Sequence, residues 1–308
     1  MNATATPDVA VGEVGELVAE REIEVSARDG VPLAATRYDG VGPTRGAVLV
    51  VPAMAVPQRL YRPIARWLAG SGYEVMTFDY RGMGRSRRGS LRRVEADILT
   101  WAELDTAAAL AALREETGDL PLTWLAHSLG GQIVPFVPNH DLADKLVMVA
   151  CGSGYWRDNA PPTKRKVPLL WWGLVPLLTP LFGYFPGKRL GVVGDVPRGA
   201  IRQWRRWCMD PDYVVGVLGE PARARFAGVT TPITSISFTD DEMMSARSIA
   251  KLDSFYTGAA HTARRLSPAD LGVARVGHFG AFRAAMREPL WEPHVLPALA
   301  SIATAPSS

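Results

Sequence analysis

Apolar and polar positions along the chain fall into two alternating rhythms. Residues 17–27, LVAEREIEVSA, alternate in the manner of a half-exposed strand, and VPLAATRYD at 31–39 follows an Asp29-Gly30 turn. GAVLVVPA at 46–53 is a continuous apolar run, the pattern of a parallel strand covered on both faces. Helical spacing then occupies about 58–70, YEVMTFDY at 73–80 is the next strand, and 94–117 reads as one long amphipathic helix. PLTWLA at 121–126 predicts a strand ending at Ser128, followed by a short helix over about 129–137 and a buried strand, KLVMVAC, at 145–151. From 152 to 228 the alternation stops. It resumes with PITSISF at 232–238, a helix near 243–255, and helical segments containing AFRAAM and PHVLPALASI.

Strand, helix, strand in repetition predicts an α/β fold with a mostly parallel sheet and helices on both faces. A chain of 308 residues is long for one simple domain and short for two, so the interruption reads as an insertion. Residues 1–151 and 229–308 form the expected core, and 152–228 the insertion. Residues 1–12 and TAPSS at the C-terminus are expected to be loose.

Composition changes this picture little. A net charge of +3 is too small to call for nucleic acid, and no nucleic-acid-binding motif is present. The two cysteines, Cys151 and Cys208, form neither a CxxC motif nor a Cys/His cluster, so no disulfide framework or metal site is expected and a reducing cytoplasm is the default. The N-terminus lacks the basic and apolar regions of a secretory signal. VPLLWWGLVPLLTPLFGYF at 167–185 is nearly uncharged, but Pro168, Pro176 and Pro180 break it, so short apolar helices packed on the protein are expected in place of a membrane span.

Candidate chemistry centres on WLAHSLGGQ at 124–132, where Ser128 stands in a small-x-Ser-x-Gly pattern at a strand end. A sharp strand-to-helix turn strains the serine backbone and crowds the positions two before and two after it, which calls for small residues there. Such a turn exposes Oγ and sets the Leu129 N–H at a helix start. The pattern alone also fits a capped helix start. Two further stretches give it weight: SFTDDEMM sets Asp240, Asp241 and Glu242 after an apolar strand, and VGHFGAF places His278 further downstream. The chain order is Ser128, Asp241, His278.

With FDYRGMGRS at 78–86, these motifs resemble the α/β-hydrolase fold superfamily, in a serine-hydrolase branch similar to monoglyceride lipases and S33-type peptidases. The resemblance covers about 20–150 and 229–300. It implies a catalytic triad of Ser128, His278 and Asp241, with Asp240 as the alternative acid and an oxyanion hole from the Met54 and Leu129 N–H groups. Asp79 and Arg81 would hold a loop together. Two departures stand out: Ala126 replaces the usual first glycine, and VPAMAVP replaces the usual His-Gly-x after the third strand. His127, His140, His261 and His294 read as structural, and Cys151 as a buried small hydrophobe.

The insertion lies after the sixth strand, where the superfamily often carries a helical cap. It holds five of the nine tryptophans, Trp156, Trp171, Trp172, Trp204 and Trp207, and 12 Lys and Arg against 5 Asp and Glu. The aromatic residues either knit together a small cap or line a site for an apolar acyl chain. Arg205 and Arg206 are the candidates for attracting an anionic substrate, and the basic, apolar insertion for weak contact with a membrane surface. The expected activity is cleavage of a carboxylic ester or thioester with an apolar acyl part, with no metal or organic cofactor and a small-molecule acyl substrate as the partner. The same triad would serve an acyltransferase or cyclase, and a non-catalytic binding protein is the alternative outside enzymes.

Overall fold

The computed structural model describes residues 18–191 and 194–300. Both ends expected to be loose, residues 1–12 and 304–308, therefore lie outside the described residues. In chain order the strands are β1 (Glu20–Ser26), β2 (Pro32–Tyr38), β3 (Gly46–Val51), β4 (Tyr73–Phe78), β5 (Leu122–His127), β6 (Lys145–Val149), β7 (Tyr184–Phe185), β8 (Val196–Pro197), β9 (Ile233–Phe238) and β10 (His261–Leu266). Eight of them form one sheet in the order β1-β2-β4-β3-β5-β6-β9-β10, while β7 and β8 make a separate two-stranded ribbon. β1 and β2 are antiparallel to their neighbours, and the six strands from β4 to β10 run parallel.

The apolar runs become central strands because both faces of the sheet are covered. Ala47, Leu49 and Val51 of β3 join one core with Trp124 and Ala126 of β5, whereas Val48 and Val50 join a second core with Leu125. Strand order reverses between β3 and β5, and the Val51–Ala126 pairing brings their carboxyl ends side by side. Such a switch point leaves a crevice at the carboxyl edge of the sheet.

Several expected elements differ in extent. The long helix starts at Ile98, not at 94, because the Asp97 side chain accepts the Thr100 N–H at 2.8 Å and caps it. It continues through a wide-turned stretch, Trp101–Thr106, before Ala107–Thr117. The helix after Ser128 stops at Gln132 and gives way to a tight turn over Val134–Phe136, where Pro135 has no N–H to donate. The helix near 243–255 is confined to Ala246–Asp253, capped by Ser245. β10 was not expected from the pattern: it is an edge strand whose HTARRL carries no apolar run.

Between β6 and β9 the chain is mainly helical. Pro161–Pro168, Leu169–Leu174 and Val175–Phe182 follow one another without a break, so 161–182 is a continuous helical rod where short pieces were expected. Wide turns over Leu169–Leu174 lie between Pro168 and Pro176 and take up the missing donors. The ribbon of β7 and β8 and helices Arg198–Met209, Tyr213–Leu218 and Glu220–Gly228 complete the segment. It is fastened to the core at the carboxyl edge of the sheet. Tyr213 Oη donates to Gln132 Oε1 at 2.7 Å, and Gln203 Oε1 accepts the Ile98 and Leu99 N–H groups at 2.7 and 3.1 Å. Gly194 lies so close to Ala55 that a side chain there would meet its carbonyl oxygen at 2.7 Å. Among the described residues no helix is long and apolar enough to cross a membrane.

Candidate active site

Ser128 sits on the turn between β5 and the helix Leu129–Gln132 with φ 51° and ψ −108°, a conformation costly for any residue with a Cβ. Its surroundings explain the small residues. A Cβ on Gly130 would stand 2.4 Å from the Val51 carbonyl oxygen, and one on Gly131 2.6 Å from Cys151 Sγ. Ala126, fully buried, shows that the position two before the serine takes a methyl group. Cys151 is free and buried, and burial pushes its thiol well above the usual range, which leaves it a packing residue.

His278 and Asp241 meet 37 positions apart in sequence: His278 Nδ1 lies 2.8 Å from Asp241 Oδ2, and both side chains are 1% exposed. Asp241 Oδ1 also accepts the Met243 and Met244 N–H groups, each at 2.8 Å, which fixes the plane of the carboxylate. The neighbouring acids hold backbone. Asp240 Oδ2 accepts from the Val276 and Gly277 N–H groups at 2.8 and 3.1 Å, and Glu242 Oε2 from the His278 N–H at 3.1 Å. The run Asp240-Asp241-Glu242 thus grips the loop that carries the histidine at three consecutive amides and one ring.

Sequence reasoning gave His127 only a structural part; the geometry is more specific. Its Nδ1 lies 2.8 Å from Tyr61 Oη and its Nε2 3.0 Å from the His278 carbonyl oxygen. Because the Ala53 N–H already donates to Tyr61 Oη at 2.9 Å, the phenol proton is directed to Nδ1 and the His127 proton sits on Nε2. Burial, then repulsion from His278, hold the His127 pKa well below that of an ordinary imidazole, so it stays neutral. This chain of bonds connects the loop after β3 to the loop after β10. No local pattern in the sequence marks Tyr61 as a partner.

Met54 is buried in the turn after β3, where Val56 N–H donates to Ala53 O at 3.3 Å and Ala55 adopts φ 60°. Neither the Met54 nor the Leu129 amide has an acceptor among the described residues. Asp79 braces this loop from below. Its carboxylate accepts from Gln58 N, Gln58 Nε2 and Arg85 N at 2.8, 2.9 and 2.9 Å, while Arg81 is shared between Asp105 and Asp29. Both residues of the FDYRGMGRS loop therefore hold structure together.

The insertion's candidate residues divide by exposure. Trp207 is fully buried, stacked near Phe136 at 6.3 Å, and Trp171 meets Trp204 edge to face at 5.1 Å. Trp156 meets Trp172 at 5.3 Å, with Trp172 49% exposed. Arg205 Nε donates to the Trp171 carbonyl at 2.5 Å, whereas Arg206 is exposed. A cleft of about 590 Å³ opens beside the Met54 turn and Phe279, and none of the five tryptophans lines it.

A strained serine at the carboxyl end of β5, free amides on the two flanking loops, and a histidine bonded to an acid from the next loop identify the architecture. The chain has the α/β-hydrolase fold. The family model described as "Serine aminopeptidase, S33" matches residues 42–181 of it. Among solved structures, an esterase from Pyrococcus furiosus is similar at a TM-score of 0.61, 13% identity and coverage of 96% of this chain and 95% of that one. A highly thermostable carboxyl esterase from Bacillus coagulans is similar at 0.57 and 16%, with coverage of 81% and 90%. A protein described as a putative lipase from Acinetobacter baumannii is similar at 0.56 and 15%, with coverage of 96% and 99%. At these identities the likeness is one of fold. A comparison with curated proteins found no match.

Proposed function

We propose that this α/β-hydrolase is a serine hydrolase that cleaves a carboxylic ester or thioester with an apolar acyl part. The observation that carries the reading is the buried His278–Asp241 bond of 2.8 Å, with the His278 ring 5.0 Å from that of His127, the residue before the strained Ser128. His278, with Nδ1–H directed to Asp241, presents Nε2 as the base. It takes the Ser128 Oγ proton as the oxygen attacks the substrate carbonyl, and Asp241 stabilises the imidazolium that forms. The Met54 and Leu129 N–H groups, which have no acceptor among the described residues, receive the oxyanion. His278 then returns the proton to the leaving oxygen or sulfur, and water, deprotonated by the same ring, releases the acyl group.

Residues 152–228 act as the cap in this reading. Its contacts with Gln132 and Ala55 hold it to the loops at the carboxyl edge of the sheet, and among its tryptophans the exposed Trp172, packed on Trp156, offers apolar surface for the acyl chain. Contact with a membrane surface belongs to the same proposal. Leu169, Trp172, Leu177 and Leu181 recur at helical spacing along the rod and are 49–69% exposed, with Lys164, Arg165, Lys166, Lys188 and Arg189 exposed nearby. Location in the cytoplasm completes it.

Activity against 4-nitrophenyl esters of increasing acyl length, with thioesters and amides alongside, tests the reading. Ester turnover should exceed amide turnover, and kcat/KM should rise by up to about tenfold per two methylenes while the chain is being buried. A flat profile, or turnover of amides alone, would contradict it.

A further inference from the structure

The cleft beside the Met54 turn has a charge pattern that the hydrolytic machinery does not use. Its lining is apolar, Met54, Val56, Leu60 and Phe279 among it, together with two arginines, Arg59 and Arg283, and it contains no carboxylate. Both arginines are exposed, and neither guanidinium has a hydrogen bond or ion pair among the described residues. Their neighbours behave differently. On the far side of Arg59 a second cleft holds Glu20, Glu22 and Asp79, but Glu20 is bonded to Arg62 and Arg66, Glu22 to Arg85, and Asp79 to Gln58. The local acids are committed elsewhere, and the two cations face an apolar hollow.

That hollow is tied to the reacting groups. Phe279 stands edge-on to the His278 ring at 4.9 Å, and Met54 carries one of the free amides. Arg59 lies two residues before Tyr61, and Arg283 follows Phe282, whose ring packs on Tyr61 at 4.9 Å and on His127 at 4.7 Å. The same buried cluster that fixes His278 therefore fixes the backbone at both arginines, which limits the ordering cost of engaging a ligand.

Resting on the serine-hydrolase reading, we infer that this cleft selects substrates whose ester arm ends in an anionic group, a carboxylate or phosphate, bound by Arg59 and Arg283. An apolar arm lies against Val56, Leu60 and Phe279, and the guanidinium forks close on the charged end. Of the two arginines expected from sequence, Arg205 donates to the Trp171 carbonyl and Arg206 is exposed, and neither lines this cleft. A free ammonium group, the hallmark of an aminopeptidase substrate, meets two like charges in this cleft and no counter-charge.

Three butanoate esters of matched shape test this: those of 4-hydroxybenzoate, 4-hydroxybenzamide and 4-hydroxybenzamidine, with leaving groups charged −1, 0 and +1. A second pair, the phenyl monoester of adipic acid and its terminal amide, carries the charge on the acyl side. In at least one series, the anionic-to-neutral ratio of kcat/KM should fall about tenfold or more in Arg59→Gln/Arg283→Gln relative to the wild type, and in the first series the cationic-to-neutral ratio should rise. The series that responds assigns the side of the scissile bond. Ratios unchanged in both series would overturn the inference. The neutral esters separate the two claims: if they are not cleaved, the hydrolase reading fails on its own. Calorimetric binding of adipate, which needs no turnover, should then still weaken at least fivefold in the double variant, and equal binding would overturn the cleft's role.

Discussion

The imidazole of His127 holds His278 by its backbone: His127 Nε2 lies 3.0 Å from the His278 carbonyl oxygen, and the two rings stand 5.0 Å apart. One residue therefore sets the position of the proposed base while its other nitrogen, through Tyr61, reaches the loop that carries Met54. His127→Phe leaves Tyr61 Oη and the His278 carbonyl buried without that partner, at about 1–3 kcal/mol for each. The melting temperature should fall. For a positioning role, kcat per titratable active site should also fall about tenfold with KM little changed. A loss of titratable sites with kcat per site intact would make His127 a packing residue only.

The two adjacent aspartates should separate cleanly. Asp241→Asn replaces the acceptor of Nδ1–H with a group that can reverse the tautomer of His278, and kcat should drop on the order of 10⁴-fold. Asp240→Asn disturbs two backbone bonds and leaves the ring contact, so a loss nearer tenfold is expected. Kinetics of the two variants side by side decide the assignment; a larger loss in Asp240→Asn would exchange their roles.

Much of this was legible in the sequence because it rests on local constraints. Gly130 and Gly131 are demanded by Val51 and Cys151 crowding the turn, and a continuous apolar run such as GAVLVV has no stable place except a covered strand. What escaped was set by distant partners. β10 is a strand because its backbone pairs with β9, although four of its six residues are exposed and its side chains show no apolar period. Tyr61 and His127 are joined across 66 residues, and nothing near either one signals the other. The rod from 161 to 182 was hidden by its prolines, which punctuate the sequence but are absorbed by wide helical turns.

Stability should carry a signature of Asp253. Burial pushes its carboxyl up from 3.8 to about 7, against a hydrogen bond from Ser235; its Oδ1 has no hydrogen bond among the described residues, and His261 Nε2 lies 3.5 Å from it. Burial lowers the His261 pKa, so that ring brings no compensating charge at neutral pH. The folded protein holds this proton more tightly than the unfolded chain. The contribution is therefore fully present below the unfolded pKa and is lost as pH rises through about 7. Asp253→Asn should match the wild type near pH 4 and exceed it by roughly 1–2 kcal/mol at pH 8 in denaturant titrations. A difference independent of pH would contradict this.

The exposed stripe on the helical rod predicts binding to lipid. Leu177→Ser/Leu181→Ser changes two side chains that are 67% and 69% exposed, so folding stability should shift by about 0.5 kcal/mol or less per site. Co-sedimentation with vesicles containing phosphatidylglycerol should weaken in this variant, and wild-type binding should decline as salt screens the exposed cations. Equal sedimentation of the two proteins, or of the wild type with and without vesicles, would remove the membrane contact.

In the proposed reaction Ser128 forms a covalent acyl intermediate with His278 as its base. Mass spectrometry of the protein after reaction with a fluorophosphonate tests it most directly. One adduct is expected, on the peptide containing Ser128, absent in Ser128→Ala and formed far more slowly in His278→Ala. An adduct on another residue, or equal labelling of Ser128→Ala, would contradict it.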